Sequence, residues 1–171
     1  QVKAIVGNNV KVTYAADWSE YHHTNGGWFH LDKLWASEYI DIVGIDAYFP
    51  LTDKKQELIT RQDIIEGWKS GEGYDWYYED ENRTKKVPME PKYAWKNIEW
   101  WWNNQHENPD GNLSDWVPKS KKIWFTEYGF ASVDGCTNEP NKFYSASSMD
   151  GGFPRFSDGK IDNFAQKQAL E

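Results

Sequence analysis

Three acids in this sequence stand where apolar runs end, and a carboxylate at such a place needs a reason. KKIWFTEYGF, residues 121 to 130, reads as a buried strand through Ile123, Trp124 and Phe125, then reaches Glu127. IDIVGIDAY, residues 40 to 48, carries Asp46 and Tyr48 at its end, and VKVTYAAD, residues 10 to 17, ends on Asp17 just before Trp18. A buried charge costs several kcal/mol unless it is paired or used. Two carboxyl groups across a glycosidic bond hydrolyse it, at roughly 5 Å for retention and more for inversion. Glu127 is therefore a candidate nucleophile, with Asp46 as a candidate partner carboxylate. The competing reading makes Glu127 an N-cap-like or salt-bridged acid in a βα turn, and Asp46 a residue that only orients loops. Taken one at a time, both acids favour the competing reading. Tyr48 could hydrogen-bond Glu127 and hold it ionised, or it could simply pack in the core.

The aromatic residues supply a second set of candidates. Aromatics make up 17% of the chain, with 11 Trp, more than a core needs, which points to surfaces that stack on sugars, bases or partner proteins. Trp18, Trp76, Tyr77 and Tyr78 could line a sugar-stacking cleft, and Asp17 and Tyr128 join them as candidate substrate contacts. The triplet Trp100, Trp101 and Trp102 lies on a helical stretch, whose successive positions face different ways. At least one of the three belongs to the core and one to the surface.

Composition narrows the classes. A net charge of -8, with no Lys/Arg stripe among the aromatics, argues against nucleic acid as a partner. No apolar run is long enough to cross a membrane. Cys136 is the single cysteine, so no intrachain disulfide can form. His22, His23, His30 and His106 have no Cys or carboxylate at metal-ligand spacing, so neither a metal nor another cofactor is expected. No Gly-rich phosphate loop and no Gly-x-Ser-x-Gly elbow occurs. Two glycosylation sequons, at Asn82 and Asn112, are weak signals.

The elements that must hold these acids are three parallel strands, near 10–17, 40–48 and 121–129, adjacent in that order. Acids collected at one end of successive parallel strands mark the active face of an α/β protein. Asp46 follows Asp17 by 29 positions, close to one βα unit of an eight-stranded barrel, whereas Glu127 follows Asp46 by 81. The longer gap holds a short helix at RQDIIEGWK, a polar aromatic loop from Ser70 to Lys92, and a second helix at YAWKNIEWWWNNQ. A further long loop follows the last strand and leads into a C-terminal helix. The opening residues read as a helix closing on Gly7, and both ends look cut from a larger protein. The fold class expected is α/β, a partial (β/α)8 TIM barrel of about strands 5 to 7, forming a single domain over residues 1–171.

Several motifs in order, VTYAADWSEY, FHLDKLWAS, IDIVGIDAYFPLTD, GEGYDWYY and KKIWFTEYGFASVDGCTNEPNKFY, resemble the TIM-barrel-like domain of gene transfer agent and phage tail proteins. That domain is similar to retaining TIM-barrel glycoside hydrolases. The resemblance implies that Glu127 matches the nucleophile position at strand seven, that Asp46 to Tyr48 lie on strand six, and that the acid/base Glu lies upstream of this chain. It implies a tail protein that cleaves or binds a cell-surface or cell-wall glycan, or else a non-catalytic structural piece of the tail tip. Other tail proteins are its expected partners, with a homo-oligomer formed through cut barrel edges. Its expected location is the bacterial cytoplasm during assembly, then the tail particle. The chain by itself is expected to be inactive as a glycosidase. Strand alternation further places Glu127, Phe125 and Ile123 on one side, with Glu127 partly buried beside Asp46 and Tyr48.

Overall fold

The computed structural model describes residues 1–24, 27–143, 145, 147, 148 and 151–171. The first elements along the chain are α1 (Val2–Val6), β1 (Ala15–Asp17), β2 (His23–Thr24), β3 (Gly27–Trp28), α2 (Asp32–Trp35) and β4 (Ile42–Asp46). There follow α3 (Arg61–Gly67), β5 (Trp76–Tyr78), β6 (Lys86–Pro88), α4 (Ile98–Asn103), β7 (Lys122–Glu127) and α5 (Asn163–Leu170). The chain divides into two compact units. One comprises Gln1–Ala47 with Ile98–Tyr128, the other Tyr48–Asn97 with Gly129–Glu171.

The first unit is built on an open three-stranded sheet in the order β1-β4-β7, with both pairings parallel. The strand order and direction expected from sequence are those observed. No closed barrel is formed by the described residues. β4 lies in the middle, and its run of branched residues is buried on both faces, with Val43 and Ile45 fully enclosed.

Each strand is shorter than expected, and the first shows why. Residues 12 to 14 follow β4 without completing a ladder, because side chains take over the bonding. Asp41 N–H donates to Val12 O, Val12 N–H donates to the Asp41 carboxylate, and Thr13 Oγ1 donates to Ile42 O. This tight approach depends on Gly44. A Cβ there would lie 2.5 Å from Tyr14 O and 2.9 Å from Thr13 Oγ1.

Beside the sheet the first unit packs an aromatic cluster around His106. Trp101 of α4 is fully buried, while Trp100 and Trp102 are half-buried, so the triplet supplies one core residue but no fully exposed one. Trp102 Nε1 donates to Lys121 O at 2.7 Å, which ties α4 to the start of β7. His106 is sealed among Phe29, Trp101 and Trp116. Its Nδ1 lies 2.7 Å from Asp32 Oδ2 and its Nε2 2.7 Å from Trp101 O.

In the second unit the segment expected to be a loop is a hairpin. β5 and β6 pair antiparallel, Trp76 opposite Pro88 and Tyr78 opposite Lys86. Two short β-prone runs, Trp-Tyr-Tyr and Lys-Val-Pro, are joined by a turn that Asp80 closes, its carboxylate accepting from Thr84 N–H and Lys85 N–H. α3 begins with a reciprocal cap between Thr60 and Asp63. Its Ile64 joins Leu51, Ile59, Phe130, Cys136, Ala165 and Ala169 in a compact core. Asp162 caps α5 by accepting from Ala165 N–H.

Candidate functional site at the strand ends

Asp17, Asp46 and Glu127 are the last residues of β1, β4 and β7, and they are paired in register across the sheet: Asp17 with Asp46, and Asp46 with Glu127. Neighbouring strands are about 4.8 Å apart. The three acids thus form a row at the carboxyl ends of parallel strands.

The row exists because β7 is irregular. Ile45 pairs with Phe125, but the next residue, Asp46, pairs with Glu127, so Thr126 is one residue extra. Its Oγ1 donates to Asp46 Oδ1 at 2.7 Å, and Ala47 N–H donates to Glu127 O at 2.8 Å to resume the pairing. The shift reverses the expected alternation. Paired residues share a face, so Glu127 takes the side of Asp46, while Phe125 takes the opposite side with Ile45. Strict parity, which joins Glu127 to Phe125 and Ile123, fails at this one position.

Glu127 is exposed rather than partly buried, and Asp46 is half-buried. Asp17 is exposed, and Oδ1 of its carboxylate accepts from Ser19 N–H and Ser19 Oγ. That arrangement closes the turn after β1, so Asp17 has a structural task whatever else it does. The charges of the row reach their neighbours. The Tyr14 phenol is raised above its usual value, first by its hydrogen bond to Glu20, then by burial, with Asp46 and Asp17 adding repulsion. Burial raises the Tyr128 phenol.

Of the other candidates, Trp18 is half-buried and Tyr128 exposed, both in the first unit with the three acids. Tyr48, Trp76 and Tyr77 are half-buried and belong to the second unit. Sequence reasoning missed Thr126, which has no local signature, because a bulge is set by the partner strand. Among the described residues no cluster of His, Cys, Asp and Glu is placed to hold a metal ion. Ser114 donates to Asp32 rather than to His106, so no hydroxyl–imidazole nucleophile pair is formed there. Among the described residues no helix is long and apolar enough to cross a membrane.

The sheet, with helices and with acids gathered at one end of its strands, defines a mixed α/β protein of the kind from which (β/α) barrels are assembled. The chain belongs to the GTA TIM-barrel-like domain family, whose model matches residues 1–171. It is thereby grouped with gene transfer agent proteins. Neither a curated protein nor a solved structure matches it.

Proposed function

We propose that this chain is part of a glycan-directed domain of a tail protein in a gene-transfer-agent or phage-like particle. Its sheet acids would engage a polysaccharide of the cell surface or cell wall. The observation that carries the reading is the in-register row of Asp17, Asp46 and Glu127 at the strand ends. Carboxyl groups on adjacent strands can approach the roughly 5 Å separation that a retaining mechanism uses. In that mechanism Glu127 would be the nucleophile, Asp46, fixed by Thr126, would position it, and the acid/base that protonates the leaving oxygen would be the upstream Glu that the resemblance implies. Other tail proteins are the structural partners, in particles assembled in the bacterial cytoplasm.

A second reading has its own support. Glu127 is exposed, and Trp124, Phe125 and Tyr128 beside it are 53%, 45% and 42% exposed. Such an open aromatic strand suits a binding or structural tail-tip module without turnover. A screen of cell-wall and capsular polysaccharides against the whole protein that carries this chain, and against its Glu127→Gln variant, tests both readings. Hydrolysis lost in the variant supports the enzyme, binding retained in both supports the module, and no response to any glycan overturns the glycan-directed reading.

A further inference from the structure

The second unit holds a cavity of about 220 Å³ whose walls come from residues 50–54, α3, the turn at 70–72 and Trp76. We propose that this cavity is a sugar site, holding one neutral, polyhydroxylated ring of pyranose size. The proposal does not depend on the role of Glu127.

Size sets the first limit. The space is below the 300 Å³ or so at which drug-sized pockets begin, so it suits a single ring. Chemistry sets the second. Asp53, Asp63, Glu66 and Glu72 all line the cavity. An ionised carboxylate only accepts hydrogen bonds, so the ligand must bring donors.

Those donors could be hydroxyls or ammonium groups, and the existing ion pairs decide between them. Asp63 is 2.8 Å from Lys54 Nζ, Asp53 is 2.7 Å from Lys86 Nζ and 3.2 Å from Arg155 Nη1, and Glu72 is 2.9 Å from Arg155 Nη2. Three of the four charges are thus already balanced, while the oxygens keep lone pairs to offer. Glu66, the fourth acid, is exposed, and its Oε1 accepts from Gln62 Nε2 at 2.8 Å, which leaves Oε2 to a ligand hydroxyl. A neutral hydroxylated ligand uses such acceptors without adding charge to a balanced network.

Trp76 supplies the apolar surface that the C–H face of a sugar ring requires. Its indole is held in place, with Lys86 Nζ 3.9 Å from the ring centroid and Tyr78 edge-on at 5.0 Å. Rigid acceptors around a fixed aromatic ring make a preorganised site, which lowers the ordering cost of binding.

The test is a backbone and indole NMR titration of the chain with methyl glucoside, methyl N-acetylglucosaminide and putrescine. One or both glycosides should saturate shifts confined to residues 50–54, 63–72 and the Trp76 indole. Glu66→Gln and Trp76→Ala should each weaken that binding about tenfold or more, the loss of one good contact. Glu66→Gln stands by itself if Trp76→Ala disturbs the hairpin. Glu127→Gln should leave the titration unchanged. Shifts with putrescine alone, shifts with no ligand, or binding abolished by Glu127→Gln would each overturn the proposal. The last result would assign the sugar to the sheet acids instead.

Discussion

Thr126 donates a 2.7 Å hydrogen bond from Oγ1 to Asp46 Oδ1 where β7 carries one residue more than β4. The bond joins the extra residue to the strand it would otherwise misalign, and it brings Glu127 level with Asp46. Thr126→Val keeps the shape and removes the donor. The bond lies at the surface, so the expected loss is about 1 kcal/mol or less in chemical denaturation. A larger effect is expected on Glu127. Its side-chain NMR signals should shift in Thr126→Val and stay in place in Thr126→Ser, which keeps the donor. Unmoved Glu127 signals in Thr126→Val would show that the bulge does not need this bond.

Gly44 fixes the other side of the same strand. Because a Cβ would meet the Tyr14 carbonyl at 2.5 Å, Gly44→Ala must push residues 13 and 14 away from β4. Backbone cannot yield as a flexible side chain does. Overpacking of this kind typically costs about 1–3 kcal/mol, and the upper end is expected here. Thermal unfolding measures it, and an unchanged midpoint would contradict the tight approach.

His106 and Asp32 give a third test. Both are fully buried among aromatic rings, and their 2.7 Å contact joins α2 to the segment after α4. Replacing His106 by Leu would leave the Asp32 carboxylate enclosed with Ser114 as its one remaining side-chain partner among the described residues. Removing one partner of a buried pair costs about 3–5 kcal/mol. The near-ultraviolet dichroism of the surrounding tryptophans should weaken along with stability. Wild-type stability in His106→Leu would mean that Asp32 does not rely on the ring.

What could be read from the sequence divides along the line between local and non-local forces. The three strands were legible because branched and aromatic residues crowd IVGID and KIWFTE, and their order followed from the βα rhythm. Their ends were not, since the Asp41 and Thr13 side chains replace ladder bonds beside β4. The acids were legible as strand-terminal, yet the row depends on Thr126, and only the pairing of β7 with β4 reveals that residue as extra. The β5–β6 hairpin was hidden by its length. Three residues per strand, set among acids and glycines, give alternation too little room to show. Lys96 gave no sign at all, because nothing around it marks a buried lysine.

That lysine supports the last prediction. Lys96 is 3% exposed, and its ammonium donates to Pro50 O at 2.7 Å. Burial lowers it from 10.5 to about 7, while Glu72 and Asp75 pull the other way. In the unfolded chain the amine keeps its proton up to about 10.5, whereas the folded chain releases it near 7. Between those values the unfolded state binds more protons, so this group makes the fold more stable as pH rises. Its penalty is fully present below about 7 and fades on the way to 10.5. Lys96→Met cannot titrate, and the loss of the bond to Pro50 shifts its stability by a constant amount. Comparing the two proteins cancels every other titrating group that they share. Denaturant unfolding from neutral to mildly alkaline pH should therefore show wild-type stability gaining on the variant with each step. Parallel curves across that range would mean that Lys96 keeps its proton when folded.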